Sequence, residues 1–201
     1  MNNLYENKIN SWADMLAQQR PGKLEDNRAI MAYALRVAIF NTVVFFVTLA
    51  SAALAGNLFT TVVALMASGS LRIFTGGYHC ANPLTCLVLT AGLFTIYGKL
   101  AVLASTMVDF KQIVIFLLVT MSLCLAFIIK NAPVDTPNKP VREERRPKLK
   151  KIGLGVWAFW VIVLGLFLTF KFNSYKEVIV AIGLGVANQT FSISGILKNK
   201  K

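Results

Sequence analysis

Arg72-Ile-Phe-Thr-Gly76-Gly77-Tyr78-His79-Cys80-Ala-Asn82-Pro83-Leu-Thr-Cys86 is a short polar island between long apolar runs, and its reading sets the layout of the rest. It holds the only histidine of the 201 residues and two of the three cysteines. Gly76-Gly77 permits positive φ and therefore a tight turn. Asn82 and Pro83 read as the N-cap and first residue of a helix that continues into the apolar residues 84–93. Cys86 then falls in the first helical turn, where the positive end of the helix dipole favours a thiolate. His79 lies before the cap, free to fold back over the sulfur. An imidazole beside a thiol is the minimum equipment for thiol nucleophilic catalysis, because the imidazole takes the thiol proton. First-turn N–H groups also suit the oxyanion of an acyl-transfer intermediate.

Working outward, residues 58–71 are apolar but short, roughly 21 Å as a helix against a hydrocarbon core of about 30 Å. That run either begins before the Gly56-Asn57 turn or stops inside the membrane, and Arg72 then either snorkels to the headgroups or binds a substrate carboxylate or carbonyl. Residues 37–55 form a convincing span before it, and 83–105, 113–129, 152–170 and 178–197 follow as further spans. The expected architecture is an all-α integral membrane protein of about six transmembrane helices in a single domain over 1–201. Within 1–36, Tyr5, Ile9, Trp12 and Leu16 recur at helical spacing. An amphipathic helix lying in the interface is the preferred reading there, with a second short helix over 24–35. Packing of that helix on the rest of the chain is the alternative. No cleavable signal peptide is expected, since the apolar run starts too late.

Composition agrees. The chain is 56% hydrophobic and 15% charged, with a mean hydropathy of +0.60, too apolar for an ordinary soluble domain. Its net charge of +12 is concentrated in the tails and in residues 130–151, where eight Lys/Arg meet three acids and four prolines discourage regular structure. The positive-inside rule explains this distribution better than nucleic-acid binding does. It places both termini, residues 72–83 with the site they carry, and the basic loop on the cytoplasmic side. An odd cysteine count without disulfide spacing fits free thiols there. Arg142, Arg145, Arg146 and Lys148 serve topology alone or form a basic arm for an acidic peptide or anionic lipid.

In the last span Gly185, Asn188, Gln189, Ser192 and Gly195 share one face. They make a helix-packing surface, which also makes a homodimer reasonable, or Asn188 and Gln189 orient His79 or donate to an oxyanion. Lys99 snorkels outward and Cys124 is a buried structural thiol. His79, Cys80 and Cys86 lack a fourth ligand and paired spacing, so neither a metal nor another cofactor is expected. Nor does any acid flank the site to complete a triad. Cys80 adjoins His79, and adjacent side chains seldom face one another, so Cys86 is the favoured nucleophile.

The set Arg72, Gly77, His79 and Cys86, with its separations, resembles the AgrB family of membrane cysteine peptidases of bacterial quorum sensing. The resemblance implies His79 as general base, Cys86 as nucleophile, and Arg72 and Gly77 as supporting positions. It further implies an AgrD-like propeptide substrate with an acidic C-terminal tail, cleaved through a thioester and cyclised to a thiolactone or lactone. Without the resemblance, a small multi-pass transporter or a non-enzymatic membrane scaffold remains open. Few charged or broken mid-membrane helices speak for a transporter.

Overall fold

The computed structural model describes residues 3–19, 21–78, 82–134, 141–170 and 172–196. Among them are seven α-helices: α1 Asn3–Gln18, α2 Leu24–Leu54, α3 Leu58–Thr75, α4 Pro83–Met107, α5 Phe110–Asn131, α6 Arg146–Phe170 and α7 Lys176–Ile193. No strand occurs among the described residues, only an isolated parallel bridge between Gly76 and Val134. The all-α architecture is as expected. Five helices, α2 to α6, are long and apolar enough to cross a membrane. The last expected span is α7, whose Lys176, Glu177, Asn188 and Gln189 lower its hydropathy and whose surface is mostly buried by its neighbours.

The chain divides into two compact units, Met1–Val47 and Thr48–Lys201. In the first, Ile9 and Ala13 of α1 pack on Ala32 of α2, flanked by Met31, Leu35 and Ile39. Arg28–Asp14 (2.7 Å) and Arg36–Glu6 (2.6 Å) tie the two helices at the surface. Tyr5, Trp12 and Leu16, expected on the apolar face of α1, are exposed. Ile9, expected on that same face, turns toward α2 together with Ala13, four residues along the helix. The separate short helix expected over 24–35 does not form. Residues 24–54 make one helix, because no proline or glycine interrupts them and the polar start passes directly into the span.

In the second unit α7 is the hub, packed against α3, α4, α5 and α6. Small residues let backbones approach. A Cβ on Gly185 would collide with the Ala64 carbonyl of α3, and one on Gly183 with the Phe116 and Leu117 side chains of α5. Gly98 of α4 is likewise filled by Thr61 of α3. Beside it, Thr60 Oγ1 donates to the Gly98 carbonyl (3.0 Å) and Asn57 Nδ2 to the Thr95 carbonyl (2.7 Å). Such short-range polar contacts between helices replace a hydrophobic drive that lipid does not supply.

Two boundaries differ from expectation. The run beginning at 58 does not stop at Leu71 but continues through Arg72 to Thr75, about 27 Å in all, so Arg72 belongs to its last turn. The basic stretch 130–151 is not all irregular either. α5 reaches Asn131, and α6 begins at Arg146, with Pro147 in its first turn where a missing N–H costs no helical bond.

Candidate active site

Five helix ends meet at one end of the second unit. Asn131 Nδ2 of α5 donates to the Ile193 carbonyl at the end of α7 (2.8 Å). Val134 N–H donates to the Thr75 carbonyl at the end of α3 (2.9 Å). Lys150 Nζ of α6 reaches the Ile129 carbonyl, and Arg146 Nη1 the Pro133 carbonyl (3.4 Å). α4 starts here as well, since only residues 76–82 separate it from α3.

The turn that leaves α3 is built from glycine. Gly76 caps the helix at φ 69°, its N–H returning to the Arg72 carbonyl (3.0 Å). Gly77 follows at φ 148°, and a side chain there would strike Ser192 Oγ. Both positions demand glycine twice over, by backbone angle and by space.

Around this turn the polar groups of α3 and α7 close up. Arg72 Nη1 donates to Ser192 Oγ (3.1 Å) and Nη2 to the Tyr78 carbonyl. Tyr78 N–H is shared between Ser192 Oγ (3.0 Å) and the Ser192 carbonyl (3.2 Å). Gln189 Nε2, fully buried, donates to Thr75 Oγ1 (2.8 Å) and to the Gly76 carbonyl (2.7 Å). Asn188 lies one turn deeper: its Nδ2 donates to Ser68 Oγ (3.1 Å), and its Oδ1 accepts from Tyr97 (3.4 Å). Thr75, Gly76 and Tyr78 are thus each held, by Val134 on one flank and by α7 on the other.

On the far side of the turn, Asn82 Oδ1 accepts from Leu84 N–H (2.9 Å) and caps α4, with Pro83 at its first position. Cys86 is partly exposed in that first turn, its N–H closing on the Asn82 carbonyl (3.1 Å). These bonds narrow the choice of oxyanion donor. Pro83 has no N–H, and those of Leu84 and Cys86 go to Asn82. His79 and Cys80 lie outside the described residues.

Of the other residues picked out by sequence, Arg72 and Gly77 converge on the turn. The Arg72 guanidinium points into it rather than out to headgroups. Asn188 and Gln189 engage α3, so this polar face of α7 serves packing within the chain. Arg142, Arg145 and Lys148 are exposed beside the turn Glu143–Arg145, whereas Arg146 Nε is paired with Glu143 (2.9 Å). Cys124 is buried in the core, as expected. Sequence reasoning missed Thr75, Asn131 and Val134. Thr75 alone carried a signal, as a hydroxyl in the last turn before a Gly-Gly pair.

Fold and site together define an all-helical, multi-pass membrane protein with a first-turn thiol at the end of the bundle where its cations gather. The family model for Accessory gene regulator B, AgrB, matches residues 9–193. The chain belongs to the AgrB family. It is 29% identical over 141 residues to an AgrB-like protein of Clostridium perfringens (strain SM101 / Type A), covering 67% of this chain and 66% of that one. A second AgrB-like protein, from C. perfringens (strain 13 / Type A), is 28% identical over 141 residues with the same coverage. The match therefore spans just under two thirds of these relatives' own length. No solved structure matches the chain.

Proposed function

We propose that this protein is a membrane-embedded cysteine peptidase that processes an AgrD-like quorum-sensing propeptide. His79 takes the Cys86 thiol proton, and Sγ attacks a carbonyl toward the C-terminal side of the bound peptide. The Sγ–C bond forms, the C–N bond breaks, and the proton passes from His79 to the departing amine. The acidic tail leaves and a thioester remains. A thiol or hydroxyl within the peptide then attacks the thioester, closes the ring as a thiolactone or lactone, and returns the proton to Cys86. Water is scarce near the bilayer, which favours closure over hydrolysis.

The observation that carries this reading is Cys86 itself, partly exposed in the first turn of a helix that Asn82 caps and Pro83 begins. A first-turn N–H is suited to an oxyanion. Lys130, Arg142, Arg145, Lys148 and Lys151 belong to the same end of the bundle. By the positive-inside rule that end is cytoplasmic, and Arg142, Arg145 and Lys148, being exposed, suit an acidic tail.

The test is intact mass spectrometry of the purified protein incubated with a candidate propeptide. A hydroxylamine-labile acyl adduct is expected in wild type and Cys80→Ala and absent from Cys86→Ala. An adduct that disappears with Cys80 instead would move the nucleophile, and linear product alone would refute cyclisation.

A further inference from the structure

The bonds around Gly76–Tyr78 end one residue short of the histidine. We infer that Ser192, in the last turn of α7, is a positioning residue that fixes the approach of His79 to Cys86; this rests on the reading of His79 as the base.

Ser192 is the joint of the arrangement. Its Oγ accepts from both Arg72 Nη1 and Tyr78 N–H, and its carbonyl accepts from Tyr78 N–H as well. The Arg72 guanidinium then reaches the Tyr78 carbonyl, so both polar groups of the Tyr78 backbone are held. The Tyr78 carbonyl carbon is bonded to the His79 nitrogen, so the bonds that hold Tyr78 act on the residue directly before the histidine. The upstream link is held too, because Gln189 grips the Gly76 carbonyl, and Gly77 lies so close to Ser192 that a Cβ there would strike its Oγ. Helix packing alone does not account for this. An interhelical bond that served only to bring α7 against α3 would suit any residue of α3, as Asn188 to Ser68 does. Ser192 instead reaches past the helix to the backbone immediately before the base. Proton transfer from a thiol is sensitive to such placement, and a displacement of about 1 Å can cost about 100-fold in rate.

The test uses the full-length purified protein with Cys80→Ala as background, so that Cys86 is the accessible thiol. The second-order rate of Cys86 alkylation by iodoacetamide is followed by mass spectrometry. His79→Ala should slow it, as should Ser192→Ala, the latter by roughly 10- to 100-fold. Ser192→Thr, which keeps the acceptor oxygen, should stay near the background rate. The deciding measurement is Ser192→Ala combined with His79→Ala, where the serine substitution should add no further loss. An equal slowing by Ser192→Ala with and without His79 would mean a general structural defect and overturn the positioning role. So would no slowing at all in the presence of His79. If His79→Ala by itself leaves both alkylation and propeptide processing intact, the reading of the site fails instead, and that outcome is distinct from the other two.

Discussion

Gly77 illustrates how much a single residue can disclose and how much it withholds. A Gly-Gly pair before a histidine signals a turn, and the turn is there. What fills the space beside it is Ser192, whose Oγ receives the Tyr78 N–H across 114 residues of chain. No local pattern reports that distance. The same holds for Gln189: its polarity in an apolar helix was visible, but its grip on Gly76 came only with the packing of α7. Val134 was invisible for a plainer reason, since it contributes backbone and nothing in its side chain advertises the contact. Gly77→Ala must force an alanine to φ 148° and against Ser192, a strain of about 1–3 kcal/mol. Propeptide processing, measured as product per unit of folded protein, should fall at least about tenfold. Gln189→Leu should lower stability by about 1–3 kcal/mol, because the half-buried Gly76 carbonyl and the buried Thr75 hydroxyl both lose the amide donor. A lowered thermal midpoint in detergent would report it, and an unchanged midpoint would show that water replaces the amide.

At the scale of elements, hydropathy located α3 to α7 well and caps placed the start of α4 to the residue. Asn82-Pro83 succeeded because the signal is local: a side-chain acceptor followed by a residue that lacks an N–H. The misjudged boundaries are those where charge and periodicity disagree. Residues 25–28 are polar or charged and follow Pro21-Gly22, so 24–35 read as a separate piece, yet nothing in them breaks a helix and α2 runs through. Arg146 to Lys151 are basic and hold a proline, so they read as loop, although a proline in a first turn is well tolerated. The α3–α4 seam has no local signature either, since Gly56-Asn57 reads only as a turn. There Gly98 admits Thr61, and Asn57 spans to Thr95. Gly98→Leu should push α4 off α3 and cost about 1–3 kcal/mol or more. Loss of a monodisperse peak on size exclusion would show it, and Gly92→Leu, at a position with open space, is the matching control.

For the whole molecule, the distribution of basic residues makes a directional prediction. A membrane-impermeant maleimide should label Cys86 in inverted vesicles and not in right-side-out ones, with Cys124 resistant in both because it is buried in the core. Labelling of Cys86 from the outside would reverse the proposed orientation. The uneven apolarity of the helices has another consequence. α7 is the least suited of the late helices to stand alone in lipid, yet Ser192 and Gln189 near its end complete the turn before His79. Ribosomes deliver it after α3, α4, α5 and α6, the helices it packs against. On the proposed reading, a nascent chain carries the Cys86 thiol through the synthesis of α4, α5 and α6 without the α7 residues that hold the turn before His79, and attack on peptide bonds waits until α7 has docked.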